Sequence, residues 1–183
     1  PKLIFEIPWI EVNLSDNNIQ MENLKVANAD QLTSLTLSNI KIHNLDGIHD
    51  LINLEQLYLD GLDISKTIPD SLFDLTGLKT LHLQHGRFTG VLPSLIGKLS
   101  QLELLNFYGL SLSGNIPSEI GALTLLQALD LSENMFSGTI PEQIAALTNL
   151  ATLAIHHSEG SIGGPLPAFD TFPVLTGLYL QSN

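Results

Sequence analysis

The stretch LQALDLSENMFSGTIPEQIAALTN, residues 126–149, decides the fold of this chain. Laid over residues 102–125 it aligns nearly every apolar position, and a fixed period of about 24 residues is typical of a solenoid. Leu129 and Leu131 alternate with Ala128, Asp130 and Ser132, which predicts a short strand with one apolar face. One copy cannot bury its leucines alone, so the copies must stack as parallel strands around a shared core.

The rest of the repeat predicts how the chain leaves the strand and returns to the core. Asn134 stands where the strand ends, and its amide is suited to bond backbone groups that the turn leaves open, forming a ladder along the stack. Gly138 permits a tight bend. Pro141 suits the first turn of a short helix or 3₁₀ segment, which Ile144 and Leu147 tie to the core.

A recurring G-x-I-P segment distinguishes this repeat from other leucine-rich patterns. It occurs as GVLP at 90–93, GNIP at 114–117, GTIP at 138–141 and GPLP at 164–167, with a weaker KTIP at 66–69. The full pattern, LxxLxLxxNxLxGxIPxxLxxLxx, resembles the plant-type leucine-rich repeat of receptor-like kinase ectodomains and polygalacturonase-inhibiting proteins. The resemblance implies an α/β repeat solenoid, a right-handed leucine-rich-repeat superhelix with a concave parallel sheet and short 3₁₀ or helical segments on the convex side.

The repeats can be counted along one domain that spans residues 1–183. Their starting positions are Trp9, Leu32, Leu54, Leu78, Leu102, Leu126, Leu150 and Leu175. This gives about seven complete repeats and a partial eighth, and in the seventh the segment HHSEGSIGG, residues 156–164, needs about two extra residues to keep register. The ladder position holds Asn17, Asn134 and Asn183, but elsewhere Ile40, Leu62, Gly86, Leu110 and Gly160. Either water or backbone groups satisfy the turns at those positions, or the ladder is interrupted in the middle of the stack.

Composition narrows the classes of partner. The chain has 19 acidic and 7 basic residues in 183, a formal net charge of −12, which argues against nucleic acid or an anionic membrane as the partner. Twelve of the acidic residues precede residue 75, where a basic partner would dock. No apolar run is long enough for direct membrane insertion by this segment.

The termini and the lack of cysteine bear on the whole protein. Without cysteine the chain has no disulfide, zinc cluster or thiol nucleophile. The chain starts at Pro1, shows no signal peptide and stops in mid-repeat, and secreted relatives of this type usually carry cysteine-containing caps. We expect it to be part of a longer chain.

Function is to be sought on the outward-facing strand positions, since the fold alone hosts many roles. They form three columns across the sheet. The first column is Glu11, Ser34, Gln56, Thr80, Leu104, Ala128, Thr152 and Gly177. The second is Asn13, Thr36, Tyr58, His82, Asn106, Asp130, Ala154 and Tyr179. The third is Ser15, Ser38, Asp60, Gln84, Tyr108, Ser132, His156 and Gln181.

The middle strands concentrate the aromatic, amide and carboxylate side chains. We name this set the concave patch: Tyr58, His82, Leu104, Asn106, Tyr108, Asp130 and His156. Such a mixture on a rigid sheet favours peptide or carbohydrate recognition, because tyrosine supplies contact area at low entropic cost. The alternative is that these are polar residues of a solvated face.

Metal binding and catalysis are both disfavoured. The histidine pairs, His82 with His85 and His156 with His157, stand three strands apart, so ~15 Å separates them, too far for one ion. Asp130 lies two strands from His82, and no nucleophile with an oxyanion donor accompanies them, so we predict no enzyme and no cofactor. The single sequon, Asn13-Leu14-Ser15, is a glycosylation candidate or a chance match.

We therefore predict noncovalent recognition of a protein or peptide, and possibly of a carbohydrate, as the resemblance to receptor ectodomains implies. One alternative is an inhibitor of a cell-wall-degrading enzyme, docking a basic enzyme through the acidic N-terminal half. Another is a scaffold subunit of a larger assembly. The first two functions place the protein outside the cell or in the ectodomain of a membrane protein, and the third also allows a cytoplasmic or organellar assembly.

Overall fold

A computed structural model describes residues 11–16, 20–21, 29–42, 44–168 and 172–183. Trp9 and the ladder residue Asn17 of the first repeat lie outside this range. Eight short parallel strands form one sheet in chain order. They are Glu11–Asn13 (β1), Ser34–Thr36 (β3), Gln56–Tyr58 (β5), Thr80–His82 (β6), Leu104–Asn106 (β8), Ala128–Asp130 (β10), Thr152–Ala154 (β12) and Gly177–Tyr179 (β14). The predicted solenoid is confirmed.

The register of this sheet follows the apolar repeat. Leu105 pairs with Leu81 on one side and with Leu129 on the other, and Leu153 continues the row. These leucines are fully buried or nearly so. Because side chains alternate along a strand, burying the central leucine turns both of its neighbours outward. The register of the predicted first and second columns is confirmed residue for residue, although Ala154 of the second column is itself buried.

A second parallel sheet lies beside the G-x-I-P segments and was not predicted. Its strands are Thr89–Val91 (β7), Ser111–Asn115 (β9), Met135–Thr139 (β11) and Ile162–Gly163 (β13), while Gln20–Met21 (β2) pairs with Lys41–Ile42 (β4). The weaker KTIP segment contributes only an isolated bridge, from Thr67 to Thr89. The G-x-I-P motif therefore does more than bend the chain, since it also adds hydrogen-bonded pairs between successive repeats.

The register of the second sheet shows the two extra residues of the seventh repeat. Phe136 pairs with Gly114, a separation of 136 − 114 = 22, whereas Ile162 pairs with Gly138, a separation of 162 − 138 = 24. Gly138 has φ 81°, a left-handed conformation that glycine adopts at little cost, and Gly164 repeats it. The predicted insertion is thus confirmed.

Short 3₁₀ helices carry the chain back toward the next strand. They are Ala29–Gln31 (η1), Ile48–Asp50 (η2), Asp70–Asp74 (η3), Ser94–Lys98 (η4), Ser118–Ala122 (η5) and Glu142–Ala146 (η6). Pro141 is the N-cap of η6, with φ −65° and ψ 138°, so the prediction that it lies in the first turn was wrong by one position. None of the helices in the described ranges has the length and apolar character needed to span a membrane.

One apolar core runs along the whole stack between the two sheets and the 3₁₀ helices. It is built mainly of leucine and isoleucine, with four fully buried phenylalanines: Phe73, Phe88, Phe107 and Phe136. Each such side chain contributes roughly 1.5–3 kcal/mol by leaving water. Adjacent repeats share this core, so each stabilises its neighbours.

The predicted asparagine ladder is present but interrupted. Asn134 is buried and donates its Nδ2 to the carbonyls of Phe107 and Leu131, at 2.8 and 3.0 Å. Apolar residues replace asparagine in three other repeats and are buried there: Ile40, Leu62 and Leu110. The assignment of Gly160 to this position in the seventh repeat was wrong. Leu153 pairs with Leu129, so Ser158 is the residue equivalent to Asn134, and the two extra residues follow it.

Candidate binding site

The structure places the second-column residues of the concave patch side by side. Tyr58 pairs with His82, His82 with Asn106, and Asn106 with Asp130 on adjacent strands. The rings of Tyr58 and His82 are in contact, with centroids 5.1 Å apart and planes tilted by 42°. These four side chains and Leu104 are all partly exposed. They form a continuous surface across β5, β6, β8 and β10.

The amide and carboxylate groups of the second column also hold the local backbone. Asn106 Oδ1 accepts a hydrogen bond from the Tyr108 N–H at 3.0 Å, and Asp130 Oδ1 accepts one from the Ser132 N–H at 2.9 Å. In the same way, Asn13 Oδ1 accepts a hydrogen bond from the Ser15 N–H. These bonds fix the side chains in place, so a ligand that contacts them would restrict little further motion.

The third column carries a hydrogen-bond ladder that the sequence interpretation missed. Ser38 Oγ accepts the N–H of Asp60, and Asp60 Oδ1 accepts the N–H of Gln84, at 3.2 and 3.1 Å. Ser132 Oγ likewise accepts the N–H of His156 at 3.2 Å. The signal was the recurrence of short acceptor side chains at this position in successive repeats. The ladder adds side-chain bonds to the backbone bonds between repeats that continue beyond the strand ends, such as Asn39 N–H to the Asp60 carbonyl.

A fourth column follows, which we name the turn column, and it too was missed. Its members all adopt left-handed φ, between 53° and 67°: Asp16, Asn39, Gly61, His85, Gly109, Glu133, His157 and Ser182. Glycine, asparagine and aspartate are the residues that tolerate this conformation best, and their recurrence immediately after the third column could have revealed it. The turn column extends the concave patch by one row of side chains.

Turn-column side chains contact the third column of the next repeat. The His85 ring meets the Tyr108 ring edge-on, with centroids 5.0 Å apart. Gly109 leaves room for this contact, because a Cβ there would lie 3.1 Å from His85 Nδ1. Tyr108 therefore has the His85 ring on one side, while Glu133 is the acidic neighbour that raises its pKa.

Burial and neighbouring charges shift the pKa of three groups on this face. Partial burial raises the pKa of Tyr108, and its hydrogen bond with Glu133 raises that pKa further. Burial also raises the pKa of the Asp60 carboxyl, an effect that nearby His82 opposes. Burial lowers the pKa of His82, against the attraction of Asp60. His82 therefore favours its neutral form near neutral pH.

The last member of the concave patch, His156, lies at its C-terminal end. Its ring meets that of His157 edge-on at 4.8 Å, and the two Nδ1 atoms are 2.7 Å apart. His157 Nδ1 lies 3.9 Å from Glu133 Oε1. Within the described ranges, histidines and acids form no group of three that could hold a metal ion.

A separate concavity lies away from this patch. An open groove of about 1020 Å³ runs between η5, η6 and residues 165–168 on the convex side. Leu166 in this segment is 62% exposed. The concave patch is by contrast an open sheet surface, which suits an extended ligand better than a small enclosed one.

Comparison with known proteins agrees with this architecture. Two segments, residues 77–99 and 125–147, match the family model described as Leucine Rich Repeat. No curated protein matches the chain.

Several solved structures resemble the chain closely. One is the ectodomain of the plant membrane receptor kinase GASSHO1/SCHENGEN3 from Arabidopsis thaliana in complex with CASPARIAN STRIP INTEGRITY FACTOR 2, with TM-score 0.79 and 35% identity, covering 84% of this chain and 18% of that one. A TDR receptor gives TM-score 0.84 and 26% identity, covering 93% and 30%. The plant peptide hormone receptor RGFR1 in complex with RGF2 gives 0.81 and 27%, covering 92% and 27%. The chain spans less than a third of each.

Proposed function

We propose that this chain, whose repeats match the leucine-rich-repeat family model and which is similar to plant receptor ectodomains, is the recognition module of a receptor-like or secreted protein and binds an extended peptide on its concave patch. Support comes from similar ectodomains whose structures hold a bound factor or hormone partner. On this proposal the module works outside the cell, forms no covalent bond with its ligand and needs no cofactor.

The observation that carries the proposal is the unbroken row of Tyr58, His82, Asn106 and Asp130 on adjacent strands. Aromatic rings supply apolar contact area, and the amide and carboxylate supply directional hydrogen bonds. The row spans four strands, a length of roughly 15 Å, which an extended segment of several residues would cover. A rigid face of this kind binds without the entropic cost of ordering a loop.

The proposal is tested with a displayed library of random peptides, selected on the purified protein. Selected peptides are then titrated against the variant Tyr58→Ala/His82→Ala/Tyr108→Ala. We expect their affinity to fall at least roughly tenfold, since truncating central aromatic contacts typically costs more than 1 kcal/mol each. Thermal unfolding of each variant shows that the loss comes from the surface and not from the fold.

A matched control carries three substitutions on the convex side: Glu119→Ala, Glu142→Ala and Gln143→Ala. All three side chains are exposed and line the convex groove. Peptides that bind the concave patch should bind this control as tightly as the native chain. Peptides that still bind the variant with the concave substitutions but no longer bind the convex control would refute the proposal. They would favour a scaffold subunit that uses its convex groove.

One observation favours the inhibitor alternative, namely the excess of acidic residues before residue 75. A polygalacturonase assay tests it directly, with the protein titrated into enzymes of high isoelectric point. Loss of enzyme activity at stoichiometric amounts would establish inhibition, and unchanged activity across the series would leave peptide recognition as the function.

We further propose that Asn13 carries an N-linked glycan. Its side chain is exposed on β1, and among the described residues it bonds through Oδ1, as acceptor for the Ser15 N–H, so that Nδ2 is the atom for attachment. β1 and β5 are two strands apart, so the glycan would stand roughly 10 Å from Tyr58 and border the concave patch. Expression in a glycosylating host should give a mass that Asn13→Gln lowers by one glycan, and equal masses would refute the assignment.

A further inference from the structure

The concave face carries acidic side chains with no basic residue among them. All positions of its three columns lie within the described ranges, and none is lysine or arginine. Glu11, Asp60 and Asp130 belong to the columns, and Asp16 and Glu133 to the turn column. The face therefore presents a negative potential toward any ligand that lies across the strands.

Elsewhere in the described part of the chain, three acids form ion pairs with basic side chains of neighbouring repeats. The pairs are Lys79 with Glu55 at 2.8 Å, Lys98 with Asp74 at 2.9 Å, and Arg87 with Asp63 at 3.2 Å. All three pairs lie off the four columns. In the described part of the chain, these ion pairs between repeats lie outside the concave face, so the lysine and arginine side chains that form them are not on that face.

Two histidines lie next to carboxylates of this face. His82, next to Asp60, favours its neutral form because burial lowers its pKa. His157 lies 3.9 Å from Glu133 and pairs with it as an ion only when protonated. The carboxylates of the concave face are therefore left for a partner to neutralise.

Aromatic rings stand next to both carboxylate positions. Asp60 directly follows β5, and the Tyr58 ring lies on β5 and contacts the His82 ring on the adjacent β6. Tyr108, whose ring contacts His85, follows Asn106, which pairs with Asp130 on the adjacent strand. A guanidinium or ammonium that binds a carboxylate here can also lie over an aromatic face, an arrangement worth about 0.5–1 kcal/mol at exposed sites. Arginine and lysine side chains fit both features at once.

The spacing of the two positions sets the spacing of the ligand's charges. Asp60 follows β5 and Asp130 lies in β10, three strands away in the sheet order. At roughly 4.8 Å per strand this is about 14 Å, and an extended peptide rises about 3.4 Å per residue. A peptide that runs across the strands therefore advances about four residues between the strand of Asp60 and that of Asp130. Asp60 also lies two residues beyond the row of Asp130 along the strand direction, an offset of about 7 Å that the long side chains of arginine and lysine can span.

Resting on the proposed function, we propose that the ligand is an extended basic peptide with two arginine or lysine residues four positions apart. One side chain binds Asp60 beside Tyr58, and the other binds Asp130 and Glu133 beside Tyr108. The binding is noncovalent, and the charge complementarity gives specificity against acidic and neutral segments.

The test uses the same displayed peptide library. Peptides enriched on the native protein should carry basic residues at positions i and i+4 more often than the unselected library does. Synthetic peptides with the arrangement Arg-x-x-x-Arg are then titrated against Asp130→Asn and against Asp60→Asn. Asparagine keeps the Oδ1 acceptor for the backbone N–H in both places, so the fold is retained while one charge is removed.

We expect each substitution to weaken binding roughly tenfold, and replacement of the matching arginine by glutamine should cause no further loss in that variant. Asp74→Asn removes an equal charge from the convex side and should leave affinity unchanged. If patch-dependent peptides are selected but are neutral or acidic, or bind Asp130→Asn as tightly as the native protein, this inference is overturned while the proposed function stands. If no peptide depends on Tyr58, His82 and Tyr108, both are overturned.

Discussion

Replacing Asn134 by alanine should be among the most destabilising single changes in this protein. Its Oδ1 accepts the Leu112 N–H at 3.0 Å, and its Nδ2 donates to the carbonyls of Phe107, Leu131 and Ser132 at 2.8 to 3.1 Å. Two Nδ2 hydrogens and one acceptor give the equivalent of three full hydrogen bonds. At about 1 kcal/mol each, and with buried groups left unpaired, the expected loss of unfolding free energy is about 3 kcal/mol.

The assay is equilibrium unfolding in urea, with the free energy of unfolding compared between Asn134→Ala and the matched control Asn149→Ala. Asn149 Nδ2 donates to the Thr124 carbonyl at 2.8 Å, but this bond is exposed, so its loss should cost less than about 1 kcal/mol. The unfolding free energy of Asn134→Leu should fall between those of the two alanine variants, because leucine fills the equivalent position at Leu62 and Leu110. If Asn134→Ala and Asn149→Ala differ by less than about 0.5 kcal/mol, the ladder asparagine does not act as argued.

Three further predictions concern the bends, the concave carboxylate and the surface ion pairs. Gly138→Ala should lower stability by about 1–2 kcal/mol because its φ is 81°, whereas Gly163→Ala, whose added Cβ meets nothing within 4 Å, should leave the Tm unchanged; equal Tm values would contradict this. Burial raises the folded-state pKa of Asp60, so at neutral pH the charged carboxylate lowers the stability of the folded state. Asp60→Asn should therefore raise the Tm at pH 7, with the gain disappearing below pH 3.8, and a gain that persists in acid would count against this cause. Lys98→Ala should change the unfolding free energy by less than about 1 kcal/mol, since its ion pair with Asp74 is half exposed, and a larger loss in urea unfolding would contradict it.

The concave face could be predicted closely because the information that fixes it is local. Each repeat places a leucine at its central strand position, as at Leu105 and Leu129, and that leucine must be buried. Once it is buried, the alternation of side chains decides which neighbours face outward, and the repeat period decides which residues pair. The columns through Tyr58 and Asp130 follow from these two periods alone.

The parts of the site that were missed depend on contacts between repeats. The recurrence of short acceptor side chains marks Ser132 as a candidate acceptor, but its donor, the N–H of His156, belongs to the next repeat and is identified only when the copies are stacked. The same holds for the His85 ring, which finds Tyr108 across the inter-repeat gap. A residue's type in one copy does not reveal which backbone group or ring the next copy will bring to it.

Taken alone, the sequence determined the solenoid, its period, the register of the concave strands and the two extra residues of the seventh repeat, since each is a matter of counting apolar positions along the chain. Only the tertiary structure decided that the G-x-I-P segments pair into a second sheet, that Pro141 caps a 3₁₀ helix from outside, and that Ser158 stands opposite Asn134. The physical reason is that backbone hydrogen bonds between repeats carry no side-chain signature, so their partners are set by how the copies stack.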